Sequence, residues 1–324
     1  MALLKLIPDN LSIGFVSLRK LAFLLSGSLV VASIVLFFAE GLNFGIDFRG
    51  GTLIEIATPQ ETADIGLIRS TLGNLGLGDI KIQEFGKPNE VLIVVEQQAV
   101  PKDLKDAGDS EKNAQAVITE VKVALSASLG DGVIYNRIEV VGPKVSGELV
   151  QQGTTAVVLA VFLMLIYIWF RFEWQFSLGA VLALVHDVIL TIGMFAITQM
   201  EFNLSIIAAI LTIVGYSMND TVVVYDRVRE NLRKYKKMEL ADLLDLSINE
   251  TLSRTVITSL TTLLALFSLY LFGGAVIRGF TFAMIWGIFV GTYSSIFIAS
   301  PLLLITDVKR DWSGYGAKAS AKSS

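Results

Sequence analysis

Residues 204–225 read LSIIAAILTIVGYSMNDTVVVY. The run contains no Lys, Arg or Glu, and its single acidic residue is Asp220. It is long enough to cross a hydrocarbon core of about 30 Å, which takes about 20 helical residues. Working outward, comparable apolar runs lie at Leu21–Ala39, Gly153–Phe170, Phe176–Ile197, Val256–Phe272 and Phe280–Ile305. The composition agrees, with 53% hydrophobic and 17% charged residues; a soluble chain carries about a quarter charged. Between Glu40 and Glu148 no such run occurs, so that stretch folds in water.

The expected class is therefore an α-helical membrane protein with a bundle of six transmembrane helices and one small extramembrane domain. The spans are read as 21–39, 149–170, 176–197, 204–225, 255–273 and 279–305. Residues 1–20 and 306–324 are terminal segments, 40–148 the folded domain and 226–254 a loop. Leu21–Ala39 is too long for the apolar core of a signal peptide and no small-x-small cleavage site follows it, so it reads as an uncleaved span. The chain has no cysteine, which removes disulfides, thiolate nucleophiles and cysteine-ligated metals.

Basic residues set the expected orientation. Arg19, Lys20, Arg171, Arg227, Arg229, Arg233, Lys234, Lys236, Lys237, Arg254, Lys309 and Arg310 fall on one side, while the two short loops opposite hold only Arg278. Both termini are thus expected in the cytoplasm and residues 40–148 outside. That domain holds 10 basic and 17 acidic residues, the remainder 16 and 13.

Within the domain, Thr52–Ala57, Asp79–Phe85, Glu90–Glu96 and Val133–Val141 read as strands. Thr62–Leu75 and Ser110–Leu129 read as amphipathic helices. The order β-α-β-β-α-β predicts a ferredoxin-like α+β arrangement. On the cytoplasmic side, Lys234–Ser253 places Leu240, Leu243, Leu244 and Ile248 at helical spacing. Two readings are open there: a helix lying along the membrane surface, or a loop helix packed on the bundle. The tail from Asp311 onward is expected to be disordered.

Ionisable groups inside spans cost about 2.5–3.5 kcal/mol each on insertion scales, so each needs a reason. The third run carries His186 and Asp187. In the fourth, Thr212, Tyr216, Asn219 and Asp220 share a face, and the fifth begins with Arg254 followed by Thr258, Thr261 and Thr262. Three polar stripes must turn towards one another or towards a partner subunit. An aspartate that changes protonation in a dry site, beside an arginine that can approach or withdraw, is a workable proton relay. Structural alternatives stand beside this: Arg254 as an orientation anchor and His186 as a satisfied bundle residue. Gly287, Gly291, Ser294 and Ser295 read as a helix-packing stripe.

Enzyme signatures are poor. There is no Walker A loop, and one histidine without cysteine makes a zinc site unexpected. Ser217 with His186, and Asp187 with Asp220, imitate intramembrane protease pairs without the usual sequence settings. No catalytic residue, metal or cofactor is expected, and nothing points to nucleic acid.

Specific motifs then narrow the reading. Phe44-Gly45-Ile46-Asp47-Phe48-Arg49-Gly50-Gly51 resembles the junction signature of the SecD/SecF family, within the resistance-nodulation-division superfamily. Val141–Leu149 (VGPKVSGEL) is similar to that family too. Gly215–Asn231 (GYSMNDTVVVYDRVREN), Ala183–Val188 and Arg254–Ser259 resemble its SecF branch. The resemblance covers about Asn43 to Pro301. It implies a subunit that pairs with SecD, works beside the SecYEG channel in the bacterial inner membrane, and uses the proton-motive force to draw preproteins outward. It also implies proton conduction through Asp220 and Arg254, with His186, Asp187 and Asn219 as further candidates. Gly45, Asp47, Arg49, Gly50 and Gly51 are expected to form a structural junction. A proton-coupled half-transporter of small molecules is the alternative reading.

Overall fold

The computed structural model describes residues 12–78, 80–96, 107–274, 276–306 and 308. Six of its helices have the length and apolarity to cross a membrane. They are α1 (Arg19–Ala39), α5 (Pro143–Arg171), α6 (Trp174–Thr198), α7 (Leu204–Lys234), α8 (Leu240–Phe272) and α9 (Arg278–Ser294). The last continues through a π turn, Ser295–Ala299, into α10 (Ser300–Ile305). The tail from Asp311 lies outside the described residues.

The short link between α6 and α7 has recognisable stop and start chemistry. Gln199 ends α6 in the left-handed conformation, at φ 51°. The Asn203 side chain caps α7 by accepting from the Ile206 amide at 3.3 Å, satisfying a donor that the first turn of a helix leaves free.

Helices α6, α7 and α9 form the inner layer, whereas α1, α5 and α8 leave most of their apolar windows exposed. Small residues allow the inner helices to close together, as lipid supplies no hydrophobic drive for helix association. A side chain at Gly287 would strike Ile213 of α7, and one at Gly291 would meet Ser217 at 2.9 Å. At Gly193 it would strike Ser33 of α1. Near the cytoplasmic end, the fully buried Tyr225 donates to the Ala299 carbonyl at 2.9 Å and sits edge-on to Phe176.

Residues 226–254 do not contain a separate surface helix. The α7 helix runs on to Lys234, and α8 begins at Leu240 and passes into the fifth span without a break. Nothing in Leu240–Phe272 interrupts it, since the stretch has neither Gly nor Pro. Leu243, Leu244 and Ile248 are buried in the bundle core. Asn231 of α7 donates to Ser247 and Glu250 of α8 at 3.0 and 2.8 Å. Of the two open readings, packing on the bundle is the observed one.

Between α1 and α5 lies the outer domain. It comprises β1 (Gly51–Ala57), α3 (Ile65–Gly73), β2 (Ile80–Glu84), β3 (Glu90–Glu96), α4 (Ala107–Leu129) and β4 (Ile134–Val141). The sheet order is β2-β3-β1-β4 with every neighbouring pair antiparallel, the ferredoxin-like arrangement. Ile54, Ile56, Val91, Ile93 and Val95 of the sheet pack against Ile68 and Leu72 of α3 and Val121 and Leu125 of α4. The opposite face of the sheet is small and shares Leu53 and Leu92 with Ile46 of the junction helix α2 (Ile46–Arg49).

Candidate functional site

Asp187 of α6 is completely buried. Its Oδ2 accepts from the Ser217 hydroxyl of α7 at 2.5 Å and from the Ser294 hydroxyl of α9 at 2.8 Å. Its Oδ1 lies 2.9 Å from His186 Nδ1. One carboxyl group thus ties together the three inner helices. With that carboxylate accepting, Nδ1 donates. A neutral His186 then carries its lone pair on Nε2, which is buried without a hydrogen-bond partner.

Asp220 lies about one helical turn beyond Ser217 on α7 and is also buried. Its Oδ1 accepts from the Thr255 hydroxyl of α8 at 2.8 Å. Its Oδ2 is buried and has no hydrogen-bond partner. The neighbouring Thr221 shares a hydrogen bond of 2.8 Å with Ser295 on the π turn. A buried carboxyl oxygen left unpaired costs about 1–3 kcal/mol. That cost suits a group that must exchange a proton more than one that only holds helices together.

The two aspartates do not form an aspartyl pair, since each has its own partners. Nor do Ser217 and His186 form a dyad, because both bind Asp187.

The polar stripes divide. Asp187, Asp220, Thr255 and Ser259 face inward, whereas Asn219, Arg254, Thr258 and Thr261 are exposed on α7 and α8. Among the described residues no ion pair or hydrogen bond joins Arg254 to Asp220. Thr255, the neighbour of Arg254, holds the carboxylate instead. Tyr216 donates to Ser259 at 3.3 Å, and Ser259 is 2.9 Å from Thr292 of α9. Near the C-terminal end of α7 Arg171 pairs with Asp226 at 2.9 Å, and Arg227 pairs with Glu230 and Glu250.

The glycine-rich junction follows α1 and is knit to the α6–α7 link. Phe44 and Phe202 form a parallel bridge, the Gly45 amide donating to the Phe202 carbonyl at 3.0 Å. Asp47 accepts from the Leu204 amide at 2.9 Å and so caps the helix that carries Asp220. Arg49 pairs with Glu96 at the end of β3, at 2.7 Å, and holds the Glu96 carboxyl below its ordinary range. Gly50 and Gly51 adopt φ values of 74° and 137°, and a side chain at Gly51 would meet the Val95 carbonyl at 2.5 Å. Only glycine suits that conformation. Gly45 has an ordinary φ but no room, since a side chain there would strike Glu201.

Glu201 is a member of this junction that no motif or spacing singles out. Burial, and then the nearby charge of Asp47, raise its carboxyl above the ordinary glutamate range, with Arg137 opposing. A raised folded-state value means that the group adds most to stability at low pH, below its unfolded value. The contribution is lost as pH rises through the folded value. Glu201→Gln therefore raises the thermal midpoint of the detergent-solubilised protein at about pH 8, and leaves it unchanged below about pH 4, where glutamate is protonated in both states. An equal shift at both pH values would show that Glu201 acts through packing and not through its charge.

Ser217, Thr221, Thr255, Ser294 and Ser295 are the other residues missed as site members. Each is a common helix residue, and only its position opposite a carboxylate distinguishes it. Among the described residues no group of His, Asp and Glu has the geometry to hold a metal ion.

Two family models match the chain: "Protein export membrane protein SecD/SecF, C-terminal" over residues 121–309, and "SecD/SecF GG Motif" over residues 35–58. The protein translocase subunit SecF of Rhodobacter capsulatus is 46% identical over 312 residues, covering 95% of this chain and 93% of that one. That of Rickettsia bellii is 44% identical over 305 residues, covering 93% and 96%. Among solved structures, SecDF of Thermus thermophilus, described as a translocon-associated membrane protein, superposes with a TM-score of 0.81 at 34% identity. The match covers 93% of this chain and 40% of that one, so the chain spans two fifths of the solved SecDF. SecDF in a super-membrane-facing form gives a TM-score of 0.64 at 31% identity, covering 97% of this chain and 40% of that one.

Proposed function

Since this chain belongs to the SecD/SecF family of protein-export membrane proteins, we propose that it is the SecF-type subunit of a proton-driven export complex. It pairs with SecD, works beside SecYEG in the bacterial inner membrane with both termini in the cytoplasm, and promotes the late outward movement of preproteins. The proton gradient is its energy source, and no cofactor takes part. The basic residues of the cytoplasmic segments support that orientation.

The observation that carries the proton reading is Asp220. Its Oδ2 is buried and unpartnered in the interior of a membrane bundle. No fixed donor holds that oxygen, so it is open to take up and give back a proton. Arg254 is the second element. It is exposed one residue from Thr255, which holds Asp220. An arginine at the edge of hydrocarbon costs about 2.5–3.5 kcal/mol if it meets lipid at depth. The exposed row of Asn219, Arg254, Thr258 and Thr261 on α7 and α8 is accordingly the face against which SecD packs.

His186, with a free Nε2 beside the Asp187 hub, is a further group that can hold a proton. The alternative of a small-molecule half-transporter loses ground because the SecF subunits similar to this chain match it over more than nine tenths of its length.

Inverted membrane vesicles test the proposal. Preprotein is first driven partway through the channel, ATP is removed, and the remaining movement is followed with and without a proton gradient. Gradient-dependent movement is expected in vesicles that contain this chain with its SecD partner and is lost in vesicles that lack it. Equal movement in both would remove the chain from the energy-coupling step.

A further inference from the structure

The last span is not a continuous α-helix. Between α9 and α10 the backbone widens into the π turn Ser295–Ala299. Turns of this kind insert a residue into a helix and re-aim the side chains around it, and they are frequent at functional sites. Here the neighbours Ser294 and Ser295, both with no solvent exposure, face two different carboxylate centres. Ser294 donates to Asp187 on α6, whereas Ser295 meets Thr221 on α7. Its hydroxyl also lies beside the Asp220 carboxylate. The Ser300 hydroxyl donates to the Ser295 carbonyl at 2.8 Å and so holds the turn in place.

A hydroxyl has one proton to donate and two lone pairs that accept. The proton of Ser294 is committed to Asp187. That of Ser295 is directed at the Gly291 carbonyl at 2.9 Å, an acceptor that Ser294 also approaches at 3.1 Å. Ser295 thus shares its carbonyl acceptor with Ser294 and keeps lone pairs free to accept. Of the Asp220 carboxyl, next in sequence to the Thr221 that Ser295 meets, Oδ2 is the buried oxygen without a partner.

We propose that Ser295 is a positioning residue for proton exchange at Asp220, its hydroxyl serving as acceptor to the protonated carboxyl and as donor to the ionised one. This rests on the reading of Asp220 as the proton-carrying group. When Asp220 is protonated, Oδ2–H donates to Ser295 Oγ while Ser295 donates to the Gly291 carbonyl. When the proton leaves, the Ser295 hydroxyl turns to donate to Oδ2 and Thr221 donates to Ser295 Oγ. No proton leaves Ser295 in either state. Both charge states of Asp220 then have a partner, and exchange needs only the rotation of one carboxyl and two hydroxyls.

Infrared spectra of the complex of this chain with its SecD partner test the proposal, with proton flux measured on the same complex in liposomes. The carbonyl band that disappears in Asp220→Asn is assigned to the protonated Asp220. In Ser295→Ala that band moves to higher frequency, because the carboxyl proton has lost its acceptor, and proton flux falls about tenfold or more. Ser300→Ala, which loosens the same turn without touching a carboxylate, leaves the band in place. If Ser295→Ala does not assemble, Thr221→Val probes the same pair and shifts the band as well.

An unmoved band in Ser295→Ala overturns the proposal. So does a shift of equal size in Ser300→Ala, since the turn and not the hydroxyl would then be responsible. A band that moves as expected while Asp220→Asn exports normally leaves Ser295 in its role and overturns the coupling of Asp220 to export. If Asp220→Asn removes no band at any pH, Asp220 never holds a proton and both readings fall.

Discussion

Asp220→Asn brings gradient-dependent export down to the level of membranes that lack the chain, while the protein still inserts and still binds its partner. The substitution is close to isosteric, and Asn keeps a carbonyl oxygen able to accept from Thr255, which holds Oδ1 at 2.8 Å in the native protein. Helix contacts around α7 are therefore retained. What is lost is the ability to bind and release a proton, because an amide does not titrate in this range. A loss of about tenfold corresponds to about 1.4 kcal/mol of driving or barrier energy, and elimination of the titrating group is expected to exceed it. Export rate is the readout, with membrane level and co-purification of the partner as controls. Unchanged export with normal assembly would make Asp220 a structural residue and the chain a scaffold for the channel.

The contrast with Arg254 sharpens that expectation. Arg254 is solvent- or lipid-facing in the isolated chain and makes no ion pair with Asp220 among the described residues. Any influence on the carboxylate acts either across a distance or after the partner subunit has covered the α7–α8 face. Arg254→Gln thus separates function from folding more cleanly than a substitution at the Asp187 hub.

The legibility of this molecule differs between its parts for physical reasons. Spans are written in single residues, since every lipid-facing position must be apolar and about 20 of them must follow in sequence. The extramembrane domain was legible through the hairpin pattern of Asp79–Phe85 and Glu90–Glu96 across Gly86-Lys87-Pro88-Asn89 and the helical spacing of Ile65, Ile68 and Leu72. The glycines Gly76, Gly86 and Gly130, all at positive φ, punctuate its elements. Asp187 and Asp220 stood out because a carboxylate in hydrocarbon has no neutral explanation.

What surrounds them was much less visible. Ser217, Thr255 and Ser294 are ordinary in transmembrane helices, where a hydroxyl satisfies itself on the preceding turn, as Thr258, Thr261 and Thr262 do here. Only the rotation of each helix decides between those two uses, and that is set by packing at Gly287 and Gly291. The stripe Gly287-Gly291-Ser294-Ser295 illustrates the limit. Its glycines do pack against α7, as small residues predict, but Ser294 binds the Asp187 carboxyl and Ser295, on the π turn, meets Thr221 beside Asp220. The continuity of α8 was less visible for a related reason. The spacing of Leu240, Leu243, Leu244 and Ile248 fits a surface helix and a packed one equally, and the burial of Leu243, Leu244 and Ile248 decides for packing on the bundle.

Asp187→Ala is expected to have the largest effect on stability. The carboxylate has no solvent exposure and receives Ser217, Ser294 and His186 from three directions. Truncation removes the common acceptor and strands the Ser217 hydroxyl and an imidazole in a dry bundle, while Ser294 falls back on the Gly291 carbonyl. Removing one partner from a buried charged set costs about 3–5 kcal/mol, mostly from the groups left behind. Asp187→Asn can set its carbonyl where Oδ2 accepts both hydroxyls, leaving its amide to face His186 Nδ1, which accepts in the other tautomer, so its loss is expected to be smaller. The thermal midpoint of the solubilised complex should therefore fall in the order native, Asp187→Asn, Asp187→Ala, with a drop of about 3 kcal/mol or more for the last. If Asp187→Ala matches the native protein, the three helices are held by shape alone, and the buried charge has been kept for a use in proton movement that stability does not report.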